Sequence, residues 1–301
     1  MDASAPGDLI LVAPGTYNEA VNVVTDEITI RGLDRNEVIL DGEFELDNGI
    51  RVLGARGVVV ENLTAVNYAF NGFFWLEADG YRGSYLTAYR NGDYGIYGFD
   101  SVNGLLEHSY GAGSPDAGFY IGQCYPCTTV LDNVWSEHNG LGYSGTDSGG
   151  EMYVINSQFN NNRSGIVPNS GSYELCYPER ETTLIGNVVF SNSQADTPAI
   201  ENALLAHGTG ITPAGGVANT IERNLVYDHD KTGIALVPFL EENVNDDLPT
   251  QEEWDVECAD ARLEPLAEEI PETLLWESYA NVVRDNAISE SRVADLAVEG
   301  V

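Results

Sequence analysis

The sequence predicts an all-β fold, a parallel β-helix whose chain winds into stacked coils of about 23 residues. Three observations carry that prediction. A small phrase, glycine followed by an aliphatic or aromatic residue, recurs at Gly49, Gly72, Gly95, Gly118, Gly142, Gly165, Gly210 and Gly233, at intervals of 23, 23, 23, 24, 23, 45 and 23. A second column runs about ten residues upstream through Asn62, Tyr85, His108, Asn133, Asn156, Asn187, Asn224 and Asn286. Between the columns lie short alternating runs bounded by Gly and Asn, the pattern of strands and turns rather than helices. Leucine-rich repeats have a similar period, but their leucine-asparagine consensus is absent.

The elements follow in chain order. "PGDLILVAPGTYNEAVNV" supplies two short strands separated by a Pro-Gly-Thr-Tyr turn, and "ITIRGL" and "VILDG" begin the next coil. Five further coils follow at constant spacing. Each adds one strand to every face, about 4.8 Å above the last. The amides of the upstream column then hydrogen-bond up and down the stack at a bend. His108 is read as a turn residue of that column. Residues 171–208 stretch one interval to 45, either two turns or one turn plus an excursion. Residues 239–278 lose the repeat, and "LAEEIPETLLWES" within them predicts a short amphipathic helix limited by Pro271. The repeat then resumes: "NVVRDNAISESRVADLAV" aligns with "TIERNLVYDHDKTGIALV", Asn286 under Asn224 and Leu296 under Ile234. Residues 1–301 are thus read as one β-helix domain, with 239–278 an irregular insertion before the final coil.

These phrases resemble the right-handed parallel β-helix proteins of the pectate-lyase-like superfamily, in which a strand, a Pro-Gly-Thr-Tyr turn and a Gly-rich second strand open the helix. The resemblance covers residues 6 to about 238 and resumes at 279–301. It implies the fold and leaves the chemistry open, because the superfamily holds lyases, hydrolases, epimerases and non-enzymes. "YGIYGFDSVN" around Asp100 is similar to the Tyr-Gly-Phe-Asp-Pro-His segment of mannuronan C5-epimerases, with Ser101 and Val102 where that segment has Pro and His. Loss of the histidine removes a base that proton transfer at C5 requires. The arginine-bearing site of pectate lyases has no counterpart; Arg163 and Arg180 are the bases nearest this stretch.

Alternation along a strand sorts inward from outward side chains. The residue after each column glycine (Ile50, Phe73, Ile96, Phe119, Tyr143, Ile166, Ile211, Ile234) reads as interior. The next faces outward, placing Phe74, Tyr97 and Tyr120 in an exposed aromatic row, with Phe99 two positions further along its strand. Glu77, Asp100 and Asp147 form a rail at the strand ends. Aromatic rings are platforms for sugar faces, and carboxylates bind hydroxyls or cations. Glu77 and Asp100 lie on adjacent coils, about 4.8 Å apart, while Asp100 and Asp147 are two coils apart, roughly 9.6 Å. Both separations suit paired-carboxylate glycoside hydrolysis, about 5–5.5 Å for retention and about 6.5–9.5 Å for inversion. The same rail could hold Ca²⁺. Trp254 or Trp276 packing over the row is the competing reading.

Cys124, Cys127, Cys176 and Cys258 all leave the solenoid at one edge, where disulfides would pin excursions to the coils; a Cys₄ metal site or free thiols are the alternatives. His138, His207 and His229 fall at one bend and read as solvated turn residues. Asn62-Leu-Thr64 and Asn162-Arg-Ser164 fit the N-glycosylation pattern.

Charge bounds the partners. With 48 acids, 13 bases and a net charge of −35, the surface repels nucleic acid and anionic lipid, and a polyanion needs bridging cations. Lys231 is the sole lysine. No apolar run of about 18 residues exists to cross a membrane. Met1-Asp-Ala-Ser-Ala-Pro reads as the start of a mature chain whose export signal lies elsewhere, so a secreted or cell-surface location is expected. Two functions follow: a protein that engages an extended polysaccharide along the aromatic and acidic face, as hydrolase, lyase or epimerase if catalytic; or a non-catalytic adhesion or scaffold element with a protein partner or self-assembly.

Overall fold

The computed structural model describes residues 3–242, 258 and 272–299. They form ten coils, each contributing one strand to each of three ten-stranded parallel sheets, plus a two-stranded antiparallel hairpin. In chain order, sheet 1 begins with Leu9–Val12, sheet 2 with Gly15–Tyr17 and sheet 3 with Val21–Val23. The coils stack in register, so Phe73, Ile96, Phe119 and Tyr143 lie one above another on sheet 3. These four, with Ile166, Ile211 and Ile234, are fully buried, which confirms the inward column. Each contributes about 1.5–3 kcal/mol of apolar burial.

Crowding explains the glycine column. A Cβ at Gly95 would lie 2.6 Å from the carbonyl oxygen of Gly118 in the next coil, and one at Gly142 the same distance from that of Gly165. Only a residue without a side chain lets the coils approach so closely.

The upstream column divides into two. Asn62, Tyr85, His108, Asn133 and Asn156 occupy left-handed corner positions, with φ between 49° and 61°. Asn187, Asn224 and Asn286 sit one residue later, pointing inward: Asn187 Nδ2 donates to Asn224 Oδ1 at 3.1 Å, and Asn224 Nδ2 to Asn286 Oδ1 at 3.0 Å. Ser109 and Ser157 hold that inward position in earlier coils, accepting from Leu86 N and Val134 N. The slip falls between Asn156 and Asn187, where the interval lengthens to 31 residues. A second ladder, unseen in the sequence, runs at the corner between sheets 2 and 3 through Asn139, Asn162 and Asn192. Asn162 is therefore buried and closed to glycosylation. His229 ends the same ladder position at 1% exposure, with Nε2 3.3 Å from Val189 O, and is not a solvated turn residue.

The interval of 45 is one turn with two excursions. Residues 170–179 leave between sheets 3 and 1, and residues 191–208, which include the short helix Glu201–Leu205, leave between sheets 2 and 3. The chain departs again after the ninth coil: Phe239–Glu242 pairs antiparallel with Thr273–Trp276. The expected helix is thus a strand over its last turn; its first part, like Trp254, lies outside the described residues. The final coil resumes as expected, with Leu296 beside Ile234.

Candidate polysaccharide face

Sheet 3 carries the outward column. From the second coil onward, Arg51, Phe74, Tyr97, Tyr120, Ser144 and Val167 are register partners in succession. Phe74 and Tyr97 are half-buried and stack with ring centroids 4.5 Å apart and planes 6° from parallel. Tyr94 from the preceding corner stacks on Tyr97 at 4.3 Å, and Phe99 tilts against it at 5.8 Å. On these two coils the rings reach the surface with their faces turned toward one another.

The third ring of the row is not exposed. Tyr120 is 2% accessible because the 170–179 excursion lies over it, and its hydroxyl donates to Glu174. Gly122 makes room for this pair: a Cβ there would meet Glu174 Oε2 at 2.6 Å. Tyr173 from the same excursion accepts from Asn169 Nδ2 at 2.9 Å. Residues 170–179 build the cover over Tyr120; Trp276 packs on Tyr177 at 5.4 Å and donates to Glu241 at 2.8 Å, and Trp254 lies outside the described residues. Glu241 in turn accepts from Ser172 N and Oγ, tying the hairpin to the excursion.

The carboxylate rail is split likewise. Glu77 is exposed, Asp100 half-buried and Asp147 wholly buried, all at left-handed corners with φ of 53°, 48° and 45°. Asp147 Oδ1 accepts from Gly171 N at 3.1 Å, so it anchors the excursion rather than facing a groove. The three candidate acids do not converge on one open site. Among the described residues, no group of three or more His, Cys, Asp or Glu is placed to hold a metal ion.

Other acids gather behind the excursion. Burial pushes the Glu174 carboxyl up to about 8, against the opposing bond from Tyr120. Burial likewise pushes Asp116, bonded to Tyr94, up to about 7, and Glu179, bonded to Asn219, up to about 7. Asp147 is held well above the usual carboxylate range by burial and then by the charge of Glu174. These groups keep protons near neutral pH, when excursion and sheet can pack without like-charge repulsion. Asp93 and Asp116 each stand two residues before a column glycine on successive coils, a signal legible in the sequence. Glu174, off the repeat register, gave none.

A raised carboxyl binds more protons folded than unfolded, so its stabilising effect is complete below its unfolded value and is lost as pH rises through the folded one. For Glu174 that window runs from 4.5 to about 8. The protein is expected to melt at a lower temperature at pH 8.5 than at pH 5, and Glu174→Gln to narrow the gap. Melting curves at the two pH values check this; an unchanged gap in the variant removes Glu174 from the effect.

The bases near the face serve the excursions. Arg163 Nη2 donates to Ala195 O and Thr197 O, both at 2.7 Å, holding residues 191–208. Arg180 Nη1 donates to Cys176 O and Pro178 O, and its guanidinium lies 3.6 Å from the Tyr125 ring centroid. The cysteines form two disulfides, Cys124–Cys127 and Cys176–Cys258, on the single edge the sequence indicated. The first closes the end of a strand; the second ties the excursion to the insertion.

No known family model matches the chain, and no curated protein matches it in sequence. Solved structures share its fold. The A-module of mannuronan C-5 epimerase AlgE6 of Azotobacter vinelandii aligns with a TM-score of 0.59 and 13% identity over 98% of this chain and 90% of that one. An alginate lyase of Paenibacillus sp. str. FPU-7 aligns at 0.53 with 14% identity, over 99% of this chain and 94% of that one. Pectate lyase Pel9A aligns at 0.50 with 14% identity, over 78% and 60%. The chain is a right-handed parallel β-helix of the pectate-lyase-like fold.

Proposed function

We propose that the protein binds an extended polysaccharide across the outward face of sheet 3, with Phe74 and Tyr97 as the apolar contact and Glu77 and Asp100 as hydroxyl-binding acids at its edge. The observation that carries the reading is the half-buried cluster of Phe74, Tyr97 and Phe99, whose ring edges form an apolar ridge beside carboxylates. The solved structures with this fold bear the names of enzymes of mannuronan, alginate and pectate. Two disulfides favour a secreted or cell-surface setting. Among the described residues, no helix is long and apolar enough to cross a membrane.

The net charge of −35 selects among glycans. An uncharged polymer meets no repulsion, whereas a uronate polymer needs Ca²⁺ or another cation between its carboxylates and those of the face. Affinity electrophoresis against neutral and uronate polymers, with and without Ca²⁺, tests this. Wild type is expected to be retarded by at least one polymer, and Phe74→Ala and Tyr97→Ala to weaken binding about tenfold each, a loss of about 1.4 kcal/mol. Wild type that is retarded by no polymer leaves the scaffold reading standing. Assays of the same panel for reducing ends and unsaturated products test for bond cleavage; activity that survives both Asp100→Asn and Glu77→Gln takes those acids out of it.

A further inference from the structure

The outward column of sheet 3 changes character halfway along the helix. Rings occupy it at Phe74, Tyr97 and Tyr120, but Ser144, Val167, Thr212, Ala235 and Ala297 follow in the next five coils. Small side chains on successive coils hollow the face. The 191–208 excursion stands over one side through Leu205, and Phe239 of the hairpin stands on the other. Between them lies a chamber of 560 Å³. Ligand cavities in proteins run from about 300 to 1,000 Å³ and combine apolar walls with a few placed polar groups.

This chamber has those groups. Thr212 and Thr232 line it, and their hydroxyls are buried with no hydrogen-bond partner among the described residues. A buried hydroxyl left unpaired costs about 1–3 kcal/mol, which a ligand that supplies the partner recovers. Lys231 and Glu299, one charge of each sign, also line the chamber and offer no net preference for an ion. The surface at large repels anions. With Phe239 the single aromatic among its described lining residues, the chamber is a poor sugar platform. The excursion over Tyr120 also interrupts the face between it and Phe74–Tyr97.

We propose that this chamber is a binding site for a small, uncharged, largely apolar molecule that offers an oxygen or an N–H to the hydroxyls of Thr212 and Thr232. The inference is independent of polysaccharide binding. The test uses N-phenyl-1-naphthylamine, a neutral apolar fluorophore with one N–H, titrated into the whole chain. Saturable binding is expected, at least tenfold weaker in Ala235→Trp, whose ring fills the chamber, and about threefold to tenfold weaker in Thr212→Val, which keeps shape and removes the hydroxyl. The anionic 1-anilinonaphthalene-8-sulfonate is expected to bind at least tenfold more weakly than the neutral probe. Far-UV circular dichroism checks that both variants retain the wild-type fold, and Thr212→Val serves as the test if Ala235→Trp does not. Absence of saturable binding, or undiminished binding in a folded filling variant, overturns the site. Equal affinity for the two probes overturns the uncharged class.

Discussion

Asn224→Ala is expected to destabilise the protein by about 4 kcal/mol, because truncation strands several buried groups at about 1–3 kcal/mol each. Asn224 Oδ1 accepts from Asn187 N at 2.9 Å and Asn187 Nδ2 at 3.1 Å, while its own amide donates to Leu184 O at 2.9 Å. Asn187 and Asn224 are both buried, so bulk solvent does not replace the lost bonds. Asn224→Ser is expected to cost about half as much, by keeping an acceptor for the Asn187 N–H, the task that Ser109 and Ser157 perform for Leu86 and Val134. Denaturant melts of the two variants beside wild type check the order; alanine and serine variants equal to wild type would show that the ladder adds nothing.

Removal of the Cys176–Cys258 disulfide is the second large effect. The bridge spans 82 residues, and loop entropy for a closure of that size is about 4 kcal/mol. The Cys176→Ser/Cys258→Ser variant is expected to melt on the order of 10 °C lower. Limited proteolysis is expected to find new cleavage in residues 170–179, whose hold on Tyr120 and Asp147 depends on that tie. The Cys124–Cys127 bridge spans only 3 residues, and its loss is expected to cost about 1–2 kcal/mol. A double-serine variant with wild-type melting and wild-type cleavage would contradict the assignment of the long bridge as a structural tie.

The winding was legible because each coil repeats one spatial problem. Gly95 and Gly142 recur where backbones crowd, and Phe73, Ile96 and Phe119 recur where the interior must be filled. The edge shared by the cysteines was legible for the same reason, since the phase of the repeat fixes where each strand ends. What lies over the outer face was not. Residues 170–179 have no phase, so nothing in their order announces that Glu174 meets Tyr120 or that Gly171 caps Asp147. Tyr120 has the same phase as Phe74 and Tyr97, and phase alone placed it in the open; a cover from a distant excursion buries it. The asparagine column shows the complementary error. Asn156 and Asn187 are alike in type, yet one turns a corner outward and the other bonds inward.

The alternation on sheet 3 separates two kinds of inheritance. Residues such as Ile166, Ile211 and Ile234 keep the chain wound, while their immediate successors, Val167, Thr212 and Ala235, touch only what lies outside. Substitution in the second set can rewrite what the surface meets, one winding at a time, while the first set goes on filling the interior. Chains only 13–14% identical to this one share its winding, so the fold does not depend on the particular outer residues.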